Sequence, residues 1–300
     1  MENNEYQEKR AQLIADIRDG KVSLSHSAIN EFRKSPAHFI SYKLRTKEPT
    51  AAMIEGTLLH KMLLEPFDFE ESYIVEPENK PSSAQQIQVL RFVADGYSVD
   101  EAVENAYKNP KKEHLQLPDQ YPEYLQFLKD NKGEAKQVID GNTFNKLSVL
   151  ANAIKYNPAA KHFYFNATQT EKHIQWKAFG YDWNGYIDAI RDNRDANDFI
   201  FDLKKVADAN PRKVERSILY DGIGLQSAHY TFGARIDKPY YILAVDNAAN
   251  VSVTEITKAT RAIMWEEVER IMEKFERCIW KNEWGASFDF WGDNSGLYYV

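Results

Sequence analysis

Two acidic residues and a lysine stand close together in the runs Gly185-Tyr186-Ile187-Asp188 and Phe201-Asp202-Leu203-Lys204. If residues 199–204 form a strand, side chains alternate faces. Asp202 and Lys204 then point the same way, about 7 Å apart at roughly 3.3 Å per residue, while Phe201 and Leu203 face a core. The polar stretch 191–198 reads as a hairpin turn, which would bring Asp188 beside Asp202 on the neighbouring strand. Two carboxylates held together repel, and a divalent cation relieves that repulsion. Mg²⁺ takes octahedral oxygen ligands, usually one or two carboxylates with waters and substrate phosphate completing the shell; the backbone carbonyl of Leu203 is placed to add another. Such an ion lowers the pKa of a water and neutralises charge building on phosphorus oxygens. Lys204 would hold or deprotonate the attacking water and stabilise the pentavalent state. The chemistry these residues would carry is phosphodiester hydrolysis. A lone Asp-x-Lys is also found as an ordinary solvated pair on an edge strand, so the surrounding pattern has to decide between them.

The elements that must position this group can be read from periodicity. Residues 172–179 alternate, with Ile174, Trp176 and Ala178 against His173, Gln175 and Lys177, as a half-buried strand does. Stretches 183–190 and 199–204 read as two more strands, 211–232 as a helix, 240–245 and 251–256 as a hairpin, and 259–279 as a long helix with Met264, Val268, Ile271, Met272, Phe275 and Ile279 on one face. Upstream, a charged helix spans 7–18, Ser27 is a candidate N-cap for the next, and Ser35-Pro36 breaks that helix. Apolar residues at helical spacing in 51–64 predict a helix ended by Pro66; 144–156 is another. Helix, three strands, helix, two strands, helix implies an α/β fold with a central mixed sheet flanked by helices. Residues 78–135 are polar and helix-prone, punctuated by Pro81, Gly96, Pro110, Pro118, Pro122 and Gly133. They read as a helical insertion or cap within a single domain spanning 1–300.

Composition narrows the class. With 43% hydrophobic and 28% charged residues over 300 positions, the chain has the make-up of a soluble globular protein with room for a sizeable core. Charges interrupt every apolar run short of a membrane span, and the acidic start Met1-Glu2-Asn3-Asn4-Glu5 is unlike a signal peptide, so a cytoplasmic location is expected. Cys278 is the only cysteine. It excludes an internal disulfide and a four-cysteine cluster, and it reads as a buried residue of the last helix. The net charge of −7 argues against a nucleic-acid partner unless a local basic strip exists.

The order of motifs carries a family resemblance. Gly56-Thr57-Leu58-Leu59-His60, Gly185-x-Ile187-Asp188, Asp202-Leu203-Lys204 and Gln226-Ser227-Ala228-His229-Tyr230 follow one another. This resembles the RecB-type branch of the PD-(D/E)xK nuclease superfamily, and within it phage and prophage exonucleases of the exonuclease VIII (RecE-like) type. Leu24-Ser25-His26-Ser27, Ser35-Pro36-Ala37-His38-Phe39, Leu64-Glu65-Pro66 and Asp208-Ala209-Asn210-Pro211 are similar to that group. The likeness covers residues 22–77 and about 170–285, and leaves 78–135 unexplained. It implies a restriction-endonuclease-like core, with His60, Asp188 and Asp202 as metal ligands and Lys204 as the catalytic lysine. Gln226 and Tyr230, one helical turn apart, would orient the substrate phosphate or the lysine. Glu65 and Glu171 stand where relatives often carry acids. Some relatives hold an iron–sulfur cluster through a cysteine before a proline; here that place is Ser35-Pro36, and Cys278 alone cannot hold one. No phosphate-binding G-x-x-x-x-G-K-[ST] loop is present, so no helicase motor is fused here.

The resemblance implies a Mg²⁺-dependent exodeoxyribonuclease, with Mn²⁺ as a substitute, acting on linear double-stranded DNA, 5′-to-3′, and leaving single strands for an annealing protein. Its relatives form rings, so a homo-oligomer is implied. Lys205, Arg212, Lys213 and Arg216 are the candidate DNA-contacting residues, with Lys43, Arg45 and Lys47 as possible additions; such runs also occur as solvated faces. Two other readings stay open at this level: a structure-specific endonuclease of the same fold, and a non-catalytic DNA-binding protein that retains it.

Overall fold

Alternation between apolar and polar residues makes 169–191 a long hairpin, and the apolar run Phe199-Ile200-Phe201, with Leu203 beyond Asp202, makes the next strand a buried one. The computed structural model describes residues 2–44 and 48–285. In chain order the elements are α1 (Glu2–Arg18), α2 (His26–Lys34), α3 (Pro36–Lys43), α4 (Ala51–Leu64), α5 (Pro66–Ser72), β1 (Tyr73–Val75), α6 (Ala84–Ala94), α7 (Val99–Ala106), α8 (Leu117–Gln120), α9 (Pro122–Asp130), β2 (Gln137–Ile139), α10 (Gly141–Tyr156), α11 (Ala160–Asn166), β3 (Gln169–Ala178), β4 (Tyr181–Arg191), β5 (Phe199–Lys205), α12 (Pro211–Tyr220), α13 (Ile223–Ala228), β6 (Tyr240–Val245), β7 (Val251–Ile256) and α14 (Lys258–Lys281). They form two compact units, one from the residues up to Leu64 with those from Leu150 onward, the other from Glu65 to Val149.

In the first unit the five strands lie in sequence order, β3-β4-β5-β6-β7. All neighbours are antiparallel except β5 and β6, which run parallel with Asp202 opposite Ile242. A parallel pair needs a crossover connection, and α12 and α13 supply it. The sheet is thus mixed and flanked by helices, the α/β class expected. One core lies between α2, α3, α13 and α14, with Phe32, Phe39, Leu225, Val268, Ile271 and Phe275 among its buried residues; Cys278 closes the apolar stripe of α14. A second lies where Val214 and Ile218 of α12 meet Ile200, Ile242 and Tyr230.

Two local readings are corrected. Ser25, not Ser27, caps α2: its backbone is extended and its Oγ accepts from the Ala28 amide at 3.3 Å. The expected single helix over 211–232 is broken at Asp221-Gly222. Gly222 sits at φ +95°, where a side chain is strained, and a Cβ there would collide with Asn30. After α13 the backbone widens into a π-helical segment, His229–Gly233, a distortion common at functional sites.

The second unit is helical, with β1 and β2 paired in parallel. Its core gathers Val89, Leu90, Val103, Leu117 and Tyr124. It encloses the 78–135 stretch and reaches beyond it on both sides, because α5 and β1 precede that stretch and β2 follows it. No described helix is long and apolar enough to cross a membrane.

Candidate metal and catalytic site

The site begins where a ladder ends. β4 and β5 pair at Arg191–Phe199, Ile190–Ile200 and Ala189–Phe201, and then stop. The next residues on each strand are Asp188 and Asp202. The Ile200 amide donates to Pro239 on the β6 side; by alternation the amide and carbonyl of Leu203 face the β4 side, where no strand partner remains. A buried backbone pair left this way must find other partners. The Leu203 N–H donates to Asp188 Oδ2 at 2.7 Å, and the Leu203 carbonyl meets His60 Nε2 at 2.7 Å.

That second contact fixes the chemistry of His60. A carbonyl only accepts, so Nε2 carries the proton and Nδ1 is turned the other way. Nδ1 lies 3.6 Å from Asp188 Oδ2 and 3.9 Å from Glu171 Oε1. Ligand atoms of His60, Glu171 and Asp188 all fall within 4.8 Å of one another. Burial opposes charge on the imidazole, but the carboxylates of Asp188 and Glu171 outweigh it and hold the ring protonated up to about 9. The imidazolium is thus the local counter-charge to two acids. Oxygen donors from two carboxylates with one imidazole nitrogen suit Mg²⁺ or Mn²⁺, so the residues present fit a divalent ion, which would take over that balancing role as His60 loses its Nδ1 proton.

Glu171 joins this group through an unusual backbone. The β3–β4 register runs Thr170–Ala189 and Lys172–Ile187, bracketing Glu171 and Asp188. Glu171 sits at φ +46°, a left-handed conformation uncommon for a non-glycine residue. Register and conformation together bring its carboxylate to His60.

Asp202 is 1% exposed, yet both of its oxygens are engaged. Oδ1 accepts from Gln226 Nε2 at 2.6 Å, and Oδ2 pairs with Lys204 Nζ at 2.7 Å, off the direction of a good hydrogen bond. Burial and the neighbouring Asp188 charge push its carboxyl up to about 6, against the pull of Lys204. Lys204 is correspondingly held above its usual range, the charges of Asp202 and Asp188 outweighing burial. Gln226 comes from α13 and Tyr230 from the π-helical segment. The Tyr230 hydroxyl lies by the Gln226 side chain and the Tyr186 backbone; burial and the two aspartates keep it protonated. Tyr230 also explains the glycine of the Gly-x-Ile-Asp run: a Cβ on Gly185 would stand 2.7 Å from Tyr230 Cε1. The glycine lets the ring lie against β4.

The expected ligand set is therefore differently distributed. His60 and Asp188 lie together; Glu171 completes the cluster; Asp202 is committed to Gln226 and Lys204. The Leu203 carbonyl, expected as a ligand, instead orients His60. Lys205 is paired with Glu55 at 2.8 Å and its side chain is 8% exposed, leaving little of it for a phosphate. Arg212, Lys213 and Arg216 are exposed on α12. Lys43 donates to the Ser23 carbonyl at 2.8 Å; Arg45 and Lys47 lie outside the described residues. Glu65 belongs to the second unit, at the start of α5. His38 is a capping-turn residue, its Nδ1 2.7 Å from Ser35 Oγ. Glu171, which the resemblance set where relatives often carry acids, joins the cluster, whereas Glu55 had no local signal and was missed as a contributor.

Comparison with known families gives a match over residues 25–287 to the family described as PDDEXK-like domain of unknown function (DUF3799). Comparison with curated proteins gives no match. Among solved structures, the chain is similar to a provisionally assigned exonuclease from Eubacterium rectale, at 13% identity over 87% of this chain and 82% of that one, with a TM-score of 0.49. It is more weakly similar to SSO0001, at 15% identity over 76% of this chain and 94% of that one, with a TM-score of 0.25.

Proposed function

Because the chain belongs to this PDDEXK-like family and has its nuclease-type fold, we propose that it is a metal-dependent DNA exonuclease. In this reading it hydrolyses phosphodiester bonds of linear double-stranded DNA from 5′ ends, in phage-type recombination or DNA processing. The observation that carries the proposal is the meeting of the His60–Glu171–Asp188 cluster with the buried Asp202–Lys204 pair where the β4–β5 ladder ends.

His60, Glu171 and Asp188 would hold Mg²⁺, or Mn²⁺ in its place. The bound ion would supply Lewis acidity toward a phosphoryl oxygen. The remaining work belongs to the chain. Lys204, partly open to solvent and cationic, sits beside the cluster to position the attacking water and meet charge developing on the phosphoryl oxygens. Asp202 holds the lysine ammonium, Gln226 holds Asp202, and Tyr230 lies beside Gln226. The Leu203 amide and carbonyl lock Asp188 and the His60 ring, so the donors need little rearrangement. Arg212, Lys213 and Arg216, a few residues beyond Lys204 and exposed, are the proposed backbone-phosphate contacts that offset the net charge of −7. The 5′ polarity, the homo-oligomer and a single-strand annealing partner rest on the family resemblance alone.

The deciding experiment incubates the purified protein with Mg²⁺ and either linear 5′-phosphorylated duplex or a closed circle of the same sequence, with Asp202→Ala as control. Mononucleotides or short fragments from the linear duplex, an intact circle and an inert variant are expected. Cutting of the circle would make it an endonuclease; no cutting of either, with the variant indistinguishable, would leave a binding protein.

A further inference from the structure

A charged pocket opens on the first unit, partly lined by the end of the segment that carries Tyr230. It has a volume of about 260 Å³ and is lined by Thr231, Phe232, Arg235, Asp237, Lys258 and Arg261. Three of these six are cations. Lys258 and Arg261 belong to the first turns of α14, a helix of 24 residues whose amino end carries the positive pole of its dipole. Thr257 caps that end by accepting from the Thr260 amide at 3.2 Å.

Arg261 is the informative member. It is 4% exposed. Its Nη1 donates to the Lys238 carbonyl at 2.7 Å, which fixes the plane of the guanidinium, while its Nε–H has no partner. A buried guanidinium N–H without an acceptor is costly, and the Arg261 side chain that carries it lines the cavity. Arg235 is exposed at φ +59° and makes no ion pair among the described residues. Asp237 and Glu255 are the acids that act on Arg261. Asp237 pairs with Lys258 at 3.1 Å, with side chains 83% and 69% exposed, so water screens it strongly. The cavity lining keeps a positive excess in a chain whose net charge is −7.

We propose that this pocket is a phosphate-binding site, with Arg261 as its buried anchor and Arg235 and Lys258 closing over the anion. An oriented guanidinium, a flexible ammonium and a helix amino end together match a tetrahedral oxyanion. The site is distinct from the carboxylate cluster, and its existence does not depend on the hydrolytic reading. The phosphate has two sources with the same chemistry: a nucleic-acid strand, or a small free phosphate.

The test uses the full chain without divalent metal, so that nothing is cut. Binding of inorganic phosphate is measured by calorimetry at constant ionic strength, with acetate as the comparison anion. Binding of an oligonucleotide with a 5′-phosphate, and of the same strand with a 5′-hydroxyl, is measured by fluorescence anisotropy. Arg235→Ala/Lys258→Ala changes exposed residues only and keeps the fold; Arg261→Lys keeps the charge but loses the fork. Phosphate binding that exceeds acetate binding, and weakens roughly ten- to a hundred-fold in the double variant, is expected. An equal loss for both oligonucleotides identifies a backbone phosphate, a loss for the 5′-phosphorylated strand alone identifies a strand end, and a loss for inorganic phosphate alone identifies a small free phosphate. Phosphate binding that is absent, equals acetate, or survives the double variant unchanged overturns the proposal, whatever the outcome of the cleavage assay.

Discussion

The β4–β5 hairpin carries an acid–lysine cluster at each end, and the two are opposites. At the turn, Asp198 accepts from the amides of Asn193 and Arg194 at 2.9 and 3.0 Å and from Lys238 at 2.6 Å, while Lys238 also reaches Asp192 at 2.9 Å. Lys238 and the two amides hold the Asp198 carboxyl down at about 2. At the open end, Asp202 is buried beside a second carboxylate and is pushed up to about 6. The same residue types give a charge that the fold stabilises at one end and a charge that the fold stresses at the other. The first is what a turn needs. The second is what a site needs if a cation or a developing charge is to be received there.

The sharpest break of this comparison is a paired substitution. Asp202→Asn is expected to lower cleavage of linear duplex by about 10²–10³-fold or more, with little loss of melting temperature. Asp198→Asn is expected to lower the melting temperature and leave the specific activity of the folded enzyme near wild type. Equal losses of activity in both, measured as initial rates beside thermal melts, would erase the distinction between the two ends.

Metal linkage sharpens it next. Mg²⁺ or Mn²⁺ at a hundred times its dissociation constant should raise unfolding stability by about 2.7 kcal/mol. The rise should vanish in Asp188→Asn and shrink in Glu171→Gln, while Asp192→Asn at the turn leaves it intact. Calorimetric melts with and without a chelator read this directly.

Gly185→Ala comes third. Its Cβ would press on Tyr230 at 2.7 Å, so a cost of about 1–3 kcal/mol is expected. Activity should fall further than stability alone explains, because Tyr230 supports Gln226 and through it Asp202. Rates normalised to the folded fraction would show this.

The smallest effect is an acid limb. An unfolded aspartate titrates near 3.9, and folded Asp198 titrates at about 2. Its pKa is depressed on folding, so its contribution is full above about pH 4 and is lost as pH falls toward 2. Denaturant unfolding at stepped pH should show wild type losing stability in that window faster than Asp198→Asn. An identical slope would mean that Asp198 carries no such linkage.

Much of the fold was legible because the strands that carry the chemistry are regular. The alternation of β3, the apolar run of β5 and the stripe on α14 are local signals, readable from residue type and spacing. The paired motifs Gly-x-Ile-Asp188 and Asp202-x-Lys204 could be set on adjacent strands from the length of the turn between them. Less legible were features that depend on contacts between distant segments. Asp221-Gly222 is a turn signal within an amphipathic pattern, and it is obligatory because Asn30 of α2 packs against it. Lys205 reads as a free base until Glu55 of α4 is found beside it. The extent of the second unit was hidden because β1 and β2 are short and far apart in sequence.

The sequence by itself determined which residue types were available for metal and phosphate chemistry, on which elements, and in what order, since side-chain identity and periodicity are local properties. The tertiary structure decided which donors meet. It placed Glu171, rather than Asp202, with His60 and Asp188; it turned the Leu203 carbonyl to His60; and it buried Asp202 under Gln226. The physical reason is that the β4–β5 ladder stops at Ala189–Phe201. A freed backbone amide and carbonyl there must be satisfied, and the side chains that satisfy them come from α4 and β4, which only the packed sheet brings to the same place.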